Sequence, residues 1–80
     1  MSLAFVLITV KAGTDESVVQ RLKTLRSVDE VHEIYGAYDI IAKISADSED
    51  RVMDIVKTIT VLENVKAVET IRVSTEWKKS

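Results

Sequence analysis

Read from the N-terminus, the apolar positions fall into six runs that alternate between two periods. Ala4 to Ala12 is dense in Phe, Val, Ile and Leu, with Val6, Ile8 and Val10 on one parity and Phe5 and Leu7 on the other. Successive strand side chains point to opposite faces, so a strand apolar on both parities belongs in the middle of a sheet. After Gly13 the period changes. Val18, Leu22 and Leu25 recur at helical spacing behind Thr14, a candidate N-cap, and Asp15 and Glu16, which suit the positive end of the helix dipole. This helix is expected to end near Arg26-Ser27. Val28 to Tyr35 is more polar and reads as an edge strand. A turn at Gly36-Ala37 reverses it into a strand over Tyr38 to Ala46, with Ile40, Ala42 and Ile44 on one face and Asp39, Ile41, Lys43 and Ser45 on the other. Asp47 or Ser48 caps a second helix with Glu49 and Asp50 in its first turn and a stripe of Val52, Ile55, Val56, Ile59 and Leu62. Asn64 marks its end, Val65 to Trp77 is the last strand, and Lys78-Lys79-Ser80 is a tail.

The two halves of this pattern resemble each other. Phe5 to Ala12 can be laid over Asp39 to Ala46, and Val28, Val31 and Ile34 match Val65, Val68 and Ile71 at a constant offset. Two split β-α-β units give an α+β, ferredoxin-like βαββαβ sandwich: a four-stranded antiparallel sheet with both helices on one face. The opposite face is left uncovered, with Phe5, Leu7 and Ile41 on it. A large exposed apolar patch marks an interface, and burying each of these side chains is worth roughly 1.5–3 kcal/mol before the cost of association. The expected assembly is a face-to-face dimer, a dimeric α/β sandwich.

Length sharpens that expectation. The 80 residues make one domain, residues 1–80, and a chain this short buries only about 60% of the surface that it exposes when unfolded. Disulfides, a structural metal or oligomerisation commonly make up the deficit. There is no cysteine and His32 is the only histidine, which removes disulfides, thiolate or histidine-rich metal sites and cysteine catalysis together. Oligomerisation remains. The formal net charge of −2 is nearly balanced, and Lys78-Lys79 is the only basic run, so direct nucleic-acid binding is not expected. The opening apolar run stops at Lys11, too short for a membrane span, and lacks the basic n-region and cleavage site of a signal peptide. The expected location is cytoplasmic, with no membrane partner.

The chemistry-bearing stretch is Glu33 to Ile41, around Gly36. Glycine there permits positive φ and a close backbone approach, although a β-turn that needs it for geometry alone is the plainer reading. Asp39 follows the turn on the parity of the uncovered face. Such a carboxylate can take the ammonium of a small ligand while backbone N–H groups take its carboxylate; the plainer reading is a turn-associated Asp that hydrogen-bonds its own backbone. Tyr38 is as readily a packing residue as a ligand contact, Trp77 reads as an anchor against a neighbouring subunit, and His32 faces solvent. No nucleophile–histidine–acid arrangement, Gly-rich phosphate loop or Cys-x-x-Cys is present, so neither an enzyme nor a cofactor or metal carrier is expected.

The order strand–helix–strand–Gly36-Ala37-Tyr38-Asp39-Ile40-Ile41-Ala42-Lys43-Ile44–helix–strand resembles the RAM (regulation of amino-acid metabolism) domain. This is the C-terminal effector domain of the Lrp/AsnC, or feast/famine, transcription regulators. Leu62-Glu63-Asn64-Val65 resembles the family's Leu-Pro-Gly-Val turn, with Glu and Asn in place of Pro and Gly. The resemblance covers nearly the whole chain. It implies sheet-to-sheet dimers assembled into rings, with a small amino acid or related metabolite bound between dimers at Gly36, Ala37, Tyr38 and Asp39, and with Thr70 as a second polar contributor. Val68-Glu69-Thr70 stands where relatives often have Thr-x-Thr, so one hydroxyl is missing. The regulators carry a helix-turn-helix before this domain, whereas here the first strand begins almost at Met1. The expectation is therefore a stand-alone RAM protein that senses an amino acid, or a structural subunit that co-assembles with full-length regulators. An ACT-like amino-acid-binding domain is the remaining alternative.

Overall fold

A computed structural model describes residues 1–79; Ser80, at the end of the expected tail, lies outside the described residues. The elements follow the expected order: β1 (Ser2–Val10), α1 (Asp15–Lys23), β2 (Val28–Glu33), β3 (Ile40–Ala46), α2 (Glu49–Thr60) and β4 (Val65–Arg72). They form one antiparallel sheet in the order β2-β3-β1-β4. The strands that begin each half, β1 and β3, are central, and β2 and β4 are the edges. The fold is the ferredoxin-like βαββαβ sandwich.

Alternation along β1 divides the molecule. Ala4, Val6, Ile8 and Val10 are buried, and with Ile40, Ala42 and Ile44 of β3 they pack against Val18 and Leu22 of α1 and Val52, Val56 and Ile59 of α2. Cross-strand partners share a face. Phe5 pairs with Lys43 and Ile71, and Leu7 pairs with Ile41 and Glu69. These side chains therefore occupy the face without helices. Leu3, Phe5, Leu7 and Ile41 are only partly buried there, and Ile71 is 49% exposed.

The ends of the elements show where backbone partners run out. Ser48 caps α2: its hydroxyl accepts a hydrogen bond from the Arg51 N–H at 3.2 Å. Thr14 occupies the corresponding place before α1 but does not cap it, because its hydroxyl donates to the Lys11 carbonyl. Helix α1 stops at Lys23, short of the expected Arg26-Ser27. Thr24 N–H donates to the Arg21 carbonyl and Leu25 N–H to that of Leu22, a tightened last turn, and the Thr24 hydroxyl also donates to Arg21. β4 ends at Arg72 rather than Trp77. Arg72 pairs with Ala4, Val73 N–H donates to the Leu3 carbonyl, and little of β1 is left to pair with residues beyond them. Trp77 is 80% exposed in the described chain. Asn64 has φ +73°, the left-handed region where asparagine substitutes best for glycine. The asparagine thus performs the turn that a glycine would make before β4.

The two caps make a direct comparison. Ser48→Ala should lower the unfolding free energy by about 1 kcal/mol, the usual value of an N-cap, and Thr14→Ala by less than half of that. Urea unfolding followed by circular dichroism checks both.

Candidate functional site

The turn between β2 and β3 lies at the end of the sheet where β1 finishes. Tyr35, Gly36 and Ala37 are exposed, and Tyr38 and Asp39 are partly buried. Gly36 has φ +128°, a conformation that residues with a Cβ rarely adopt, yet a Cβ built there would meet nothing within 4 Å. The glycine is required by backbone conformation, not by crowding.

Asp39 sits one residue before β3 rather than within it, and it ties three strands together. Its N–H donates to the Ile8 carbonyl at 2.9 Å and its carbonyl accepts from Ile34 N–H at 2.9 Å. Its Oδ2 accepts from Val10 N–H at 2.9 Å, where a further β3 carbonyl would otherwise sit. Oδ2 is thus bonded to the backbone of β1 and not, as the plainer reading expects, to the backbone of its own turn. Oδ1 makes no hydrogen bond to the described residues. On the other side of β1, Lys11 N–H donates to the Asn64 carbonyl at 2.8 Å, so both edges of the strand end are held.

Within the turn, the backbone N–H groups of Gly36, Ala37 and Tyr38 have no acceptor among the described residues. Three consecutive free donors beside a carboxylate can serve a small zwitterion: the donors take its carboxylate and Oδ1 of Asp39 takes its ammonium. Because the turn is exposed, a single chain encloses nothing there.

The five residues singled out in the sequence are not all gathered together. Gly36, Ala37, Tyr38 and Asp39 are contiguous. Thr70 pairs with Val6, on the helix-covered parity of edge strand β4, with β1 lying between it and β3. Glu69 is on the open face instead, and its carboxylate accepts a hydrogen bond from the Tyr38 hydroxyl. Sequence reasoning passed over Glu69. The two partners are 31 positions apart, and only the parity of β4 could have pointed to it.

A second polar group flanks the open face. Glu30 pairs with Lys43 and His32 with Ile41 across β2 and β3. Glu30 lies 3.1 Å from His32 and 3.7 Å from Lys43, and all three are reached by solvent. The hydrogen bond from His32 and then the charge of Lys43 hold the Glu30 carboxyl below the ordinary glutamate range. The Tyr38 phenol is pushed above the ordinary tyrosine value, first by its hydrogen bond to Glu69 and then by partial desolvation. At the far end of the sheet, a concavity of about 340 Å3 is lined by Met1, Arg26, Ser27, Ser45, Ala46, Asp47 and Arg51. Among the described residues no group of three or more His, Cys, Asp or Glu could hold a metal ion, and no helix is long and apolar enough to cross a membrane.

These two shifts fix the signs of two pH dependences. Glu30 is depressed in the folded state, so its contribution is present above the unfolded glutamate pKa and lost as pH falls through the folded one. Tyr38 is raised, so its contribution is present below about pH 10, the unfolded tyrosine value, and lost as pH climbs through the folded one. Urea midpoints across pH should therefore lose part of the acid limb in His32→Ala and part of the alkaline limb in Tyr38→Phe.

Comparison with known proteins places the fold in a family. Residues 3–80 match the family model described as the Lrp/AsnC ligand binding domain. The HTH-type transcriptional regulator FL11 of Pyrococcus furiosus is 32% identical over 69 residues, which are 86% of this chain and 46% of the regulator. Homocitrate synthase of Saccharolobus islandicus is 34% identical over 67 residues, 80% of this chain but only 14% of the enzyme. The chain thus spans about half the length of the regulators it matches and a small part of the enzyme. Among solved structures, TTHA0845 from Thermus thermophilus superposes with a TM-score of 0.92 at 28% identity, covering 99% of this chain and 100% of the other. FFRP-DM1 gives 0.83 at 28% identity, covering 91% and 99%. The AsnC protein of E. coli gives 0.90 over 99% of this chain and 54% of its own, and at 22% identity that likeness shows the fold. A matching model over nearly the whole chain, relatives above 30% identity and the same strand order leave one conclusion: the chain belongs to the Lrp/AsnC ligand-binding, or RAM, domain family.

Proposed function

We propose that this domain is a small amino-acid-sensing effector and oligomerisation module. The observation that carries the proposal is the Gly36–Asp39 turn, where three free N–H donors stand beside a carboxylate that is already anchored to β1. Asp39 is held in place by Oδ2, which leaves Oδ1 for an ammonium without moving the backbone. The turn is open on one chain, so a second surface has to complete the pocket. The bare sheet face supplies the means of bringing one, since Leu3, Phe5, Leu7, Ile41 and Ile71 form a continuous apolar patch across three strands. The module then consists of face-to-face dimers gathered into a ring, with the ligand between dimers. Thr70, which does not meet the turn within one chain, would contribute from such an assembly. Ligand binding shifts the balance among assembly states that differ in affinity for it. A module of this kind works in the cytoplasm on a small amino acid or related metabolite, has no catalytic chemistry, and can associate with full-length regulators of its family.

A second reading has its own observation. The Tyr38 hydroxyl and Asp39 Oδ2 are both engaged inside the chain, and Val68 stands in place of a hydroxyl. On that reading the domain is a structural subunit that docks on the matching domain of a regulator and binds no small molecule.

Thermal unfolding with each common amino acid at millimolar concentration separates the two. A ligand of the folded state adds about 2.7 kcal/mol at a hundredfold over its dissociation constant. Asp39→Asn is the informative variant, because the amide keeps an acceptor for Val10 N–H while losing the charge. Asp39→Ala leaves that N–H without its partner, at a cost of roughly 1–3 kcal/mol. The expected result is a selective rise in midpoint for the parent that disappears in Asp39→Asn, whose unliganded midpoint stays close to the parent. No rise with any amino acid, together with hetero-oligomers on mixing with a full-length regulator, would establish the structural subunit instead. The dimer face has a separate test. Phe5→Glu places a charge in the apolar patch and should convert dimers to folded monomers in sedimentation equilibrium, and unchanged dimers would remove that face from the interface.

A further inference from the structure

The contact that neither the motif nor the family pattern accounts for is Tyr38 with Glu69. Tyr38 follows Gly36 and Ala37, which are exposed, yet it is itself partly buried. Its hydroxyl reaches Glu69 on β4, and β1 lies between β3 and β4 in the sheet. The side chain therefore crosses the end of β1. Glu69 pairs with Leu7, so the crossing is on the open face, beside the apolar patch. No Lys, Arg or His lies within ion-pairing distance of Glu69 among the described residues. The phenol is the one protein donor to it there.

We propose that Glu69 is a positioning residue. By accepting the Tyr38 hydrogen bond it clamps the Gly36–Asp39 turn onto the open sheet face, so that the ligand-taking turn and the surface that receives a second copy are set together. The assignment rests on the reading of turn and face given above and deepens it. One residue belongs to both places: the backbone of Tyr38 supplies one of the three free donors, and its side chain reaches over the open face to Glu69. With the clamp closed, both are formed. With the clamp open, the aromatic is free to leave the face, and the donors lose their fixed direction. By linkage, occupancy of the turn and association through the face then favour each other to the same extent. The raised phenol pKa has the sign expected of a hydroxyl held by a carboxylate. The other charged or titratable groups on that face are Asp29, Glu30 and His32 of β2, Lys43 of β3 and Asp39 at the turn.

Two tyrosines make the clamp visible. Tyr35 is fully exposed, and Tyr35→Phe leaves Tyr38 as the sole tyrosine. Tyrosinate absorbance of the folded Tyr35→Phe protein therefore follows Tyr38 alone. Adding Glu69→Ala to that variant should move the step to lower pH. The functional arm measures the amino-acid midpoint in thermal shift and the dimer dissociation constant by sedimentation. Glu69→Ala and Tyr38→Phe should each weaken both by about tenfold, the size of one charge-assisted hydrogen bond, and the double variant should lose no more than either alone. Glu69→Gln keeps an acceptor and should recover most of the loss. A Tyr38 step that does not respond to Glu69→Ala, or dimerisation and ligand midpoints that stay at parental values, would overturn the proposal. If no amino acid shifts the parent, the ligand reading fails, and Glu69 stands or falls on the titration and on dimerisation, both of which must still move.

Discussion

The constraint on which the domain depends is that β1 has hydrogen-bond partners on both edges. β3 pairs with it over Ser2–Ile8 and β4 over Ala4–Val10. One register therefore decides which side chains of all three strands face the helices. A slip by a single residue would turn Val6 and Ile8 outward and bring Phe5 and Leu7 under α1 and α2. The strand end is secured accordingly. Asp39 Oδ2 holds Val10 N–H on the β3 side, and the Asn64 carbonyl holds Lys11 N–H on the β4 side. The turn proposed to take a ligand is thus built from the same residue that closes the register.

That economy explains why Asp39 carries two readings at once. Its N–H, its carbonyl and one carboxylate oxygen are structural, joining β1, β2 and the turn. The other carboxylate oxygen makes no bond to the described residues. A carboxylate divided in this way can meet an ammonium with little reorganisation, because its orientation has already been fixed by folding. Tyr38 is used in the same divided manner: its backbone N–H is free while its hydroxyl is committed to Glu69.

Much of the fold is written in short-range periodicity. The stripes of α1 and α2 became the helix side of the core because helical spacing and burial coincide, and the polar character of Val28 to Glu33 fits its place at the sheet edge. Element ends were less legible, because each depends on a partner elsewhere. β4 stops where β1 runs out of residues, β3 starts two residues late because Asp39 bonds through its side chain, and α1 stops early because Thr24 turns back on Arg21. Thr14 looked like a cap as much as Ser48 did; the difference lies in the Lys11 carbonyl, which takes the Thr14 hydroxyl. At the site, the turn could be found from Gly36 and its neighbours, whereas Glu69 could not. Its role comes from a parity on β4 and an aromatic reach across a strand, neither of which leaves a local pattern.

The strand order also has a kinetic side. The hairpin of β2 and β3 joins neighbours in the chain, but β1, made first, pairs only with strands that come after each of the two helices. Both of its ladders close long loops, the later one spanning nearly the full sequence, and such contacts form late because loop entropy is lost before they contribute. Until residue 72 is available, the most apolar strand of the protein has an unpaired edge. A nascent chain in that state offers the missing β4 place to any similar strand, including that of another copy. Synthesis itself thus sets a competition between completing the sheet within one chain and exchanging a strand with a neighbour.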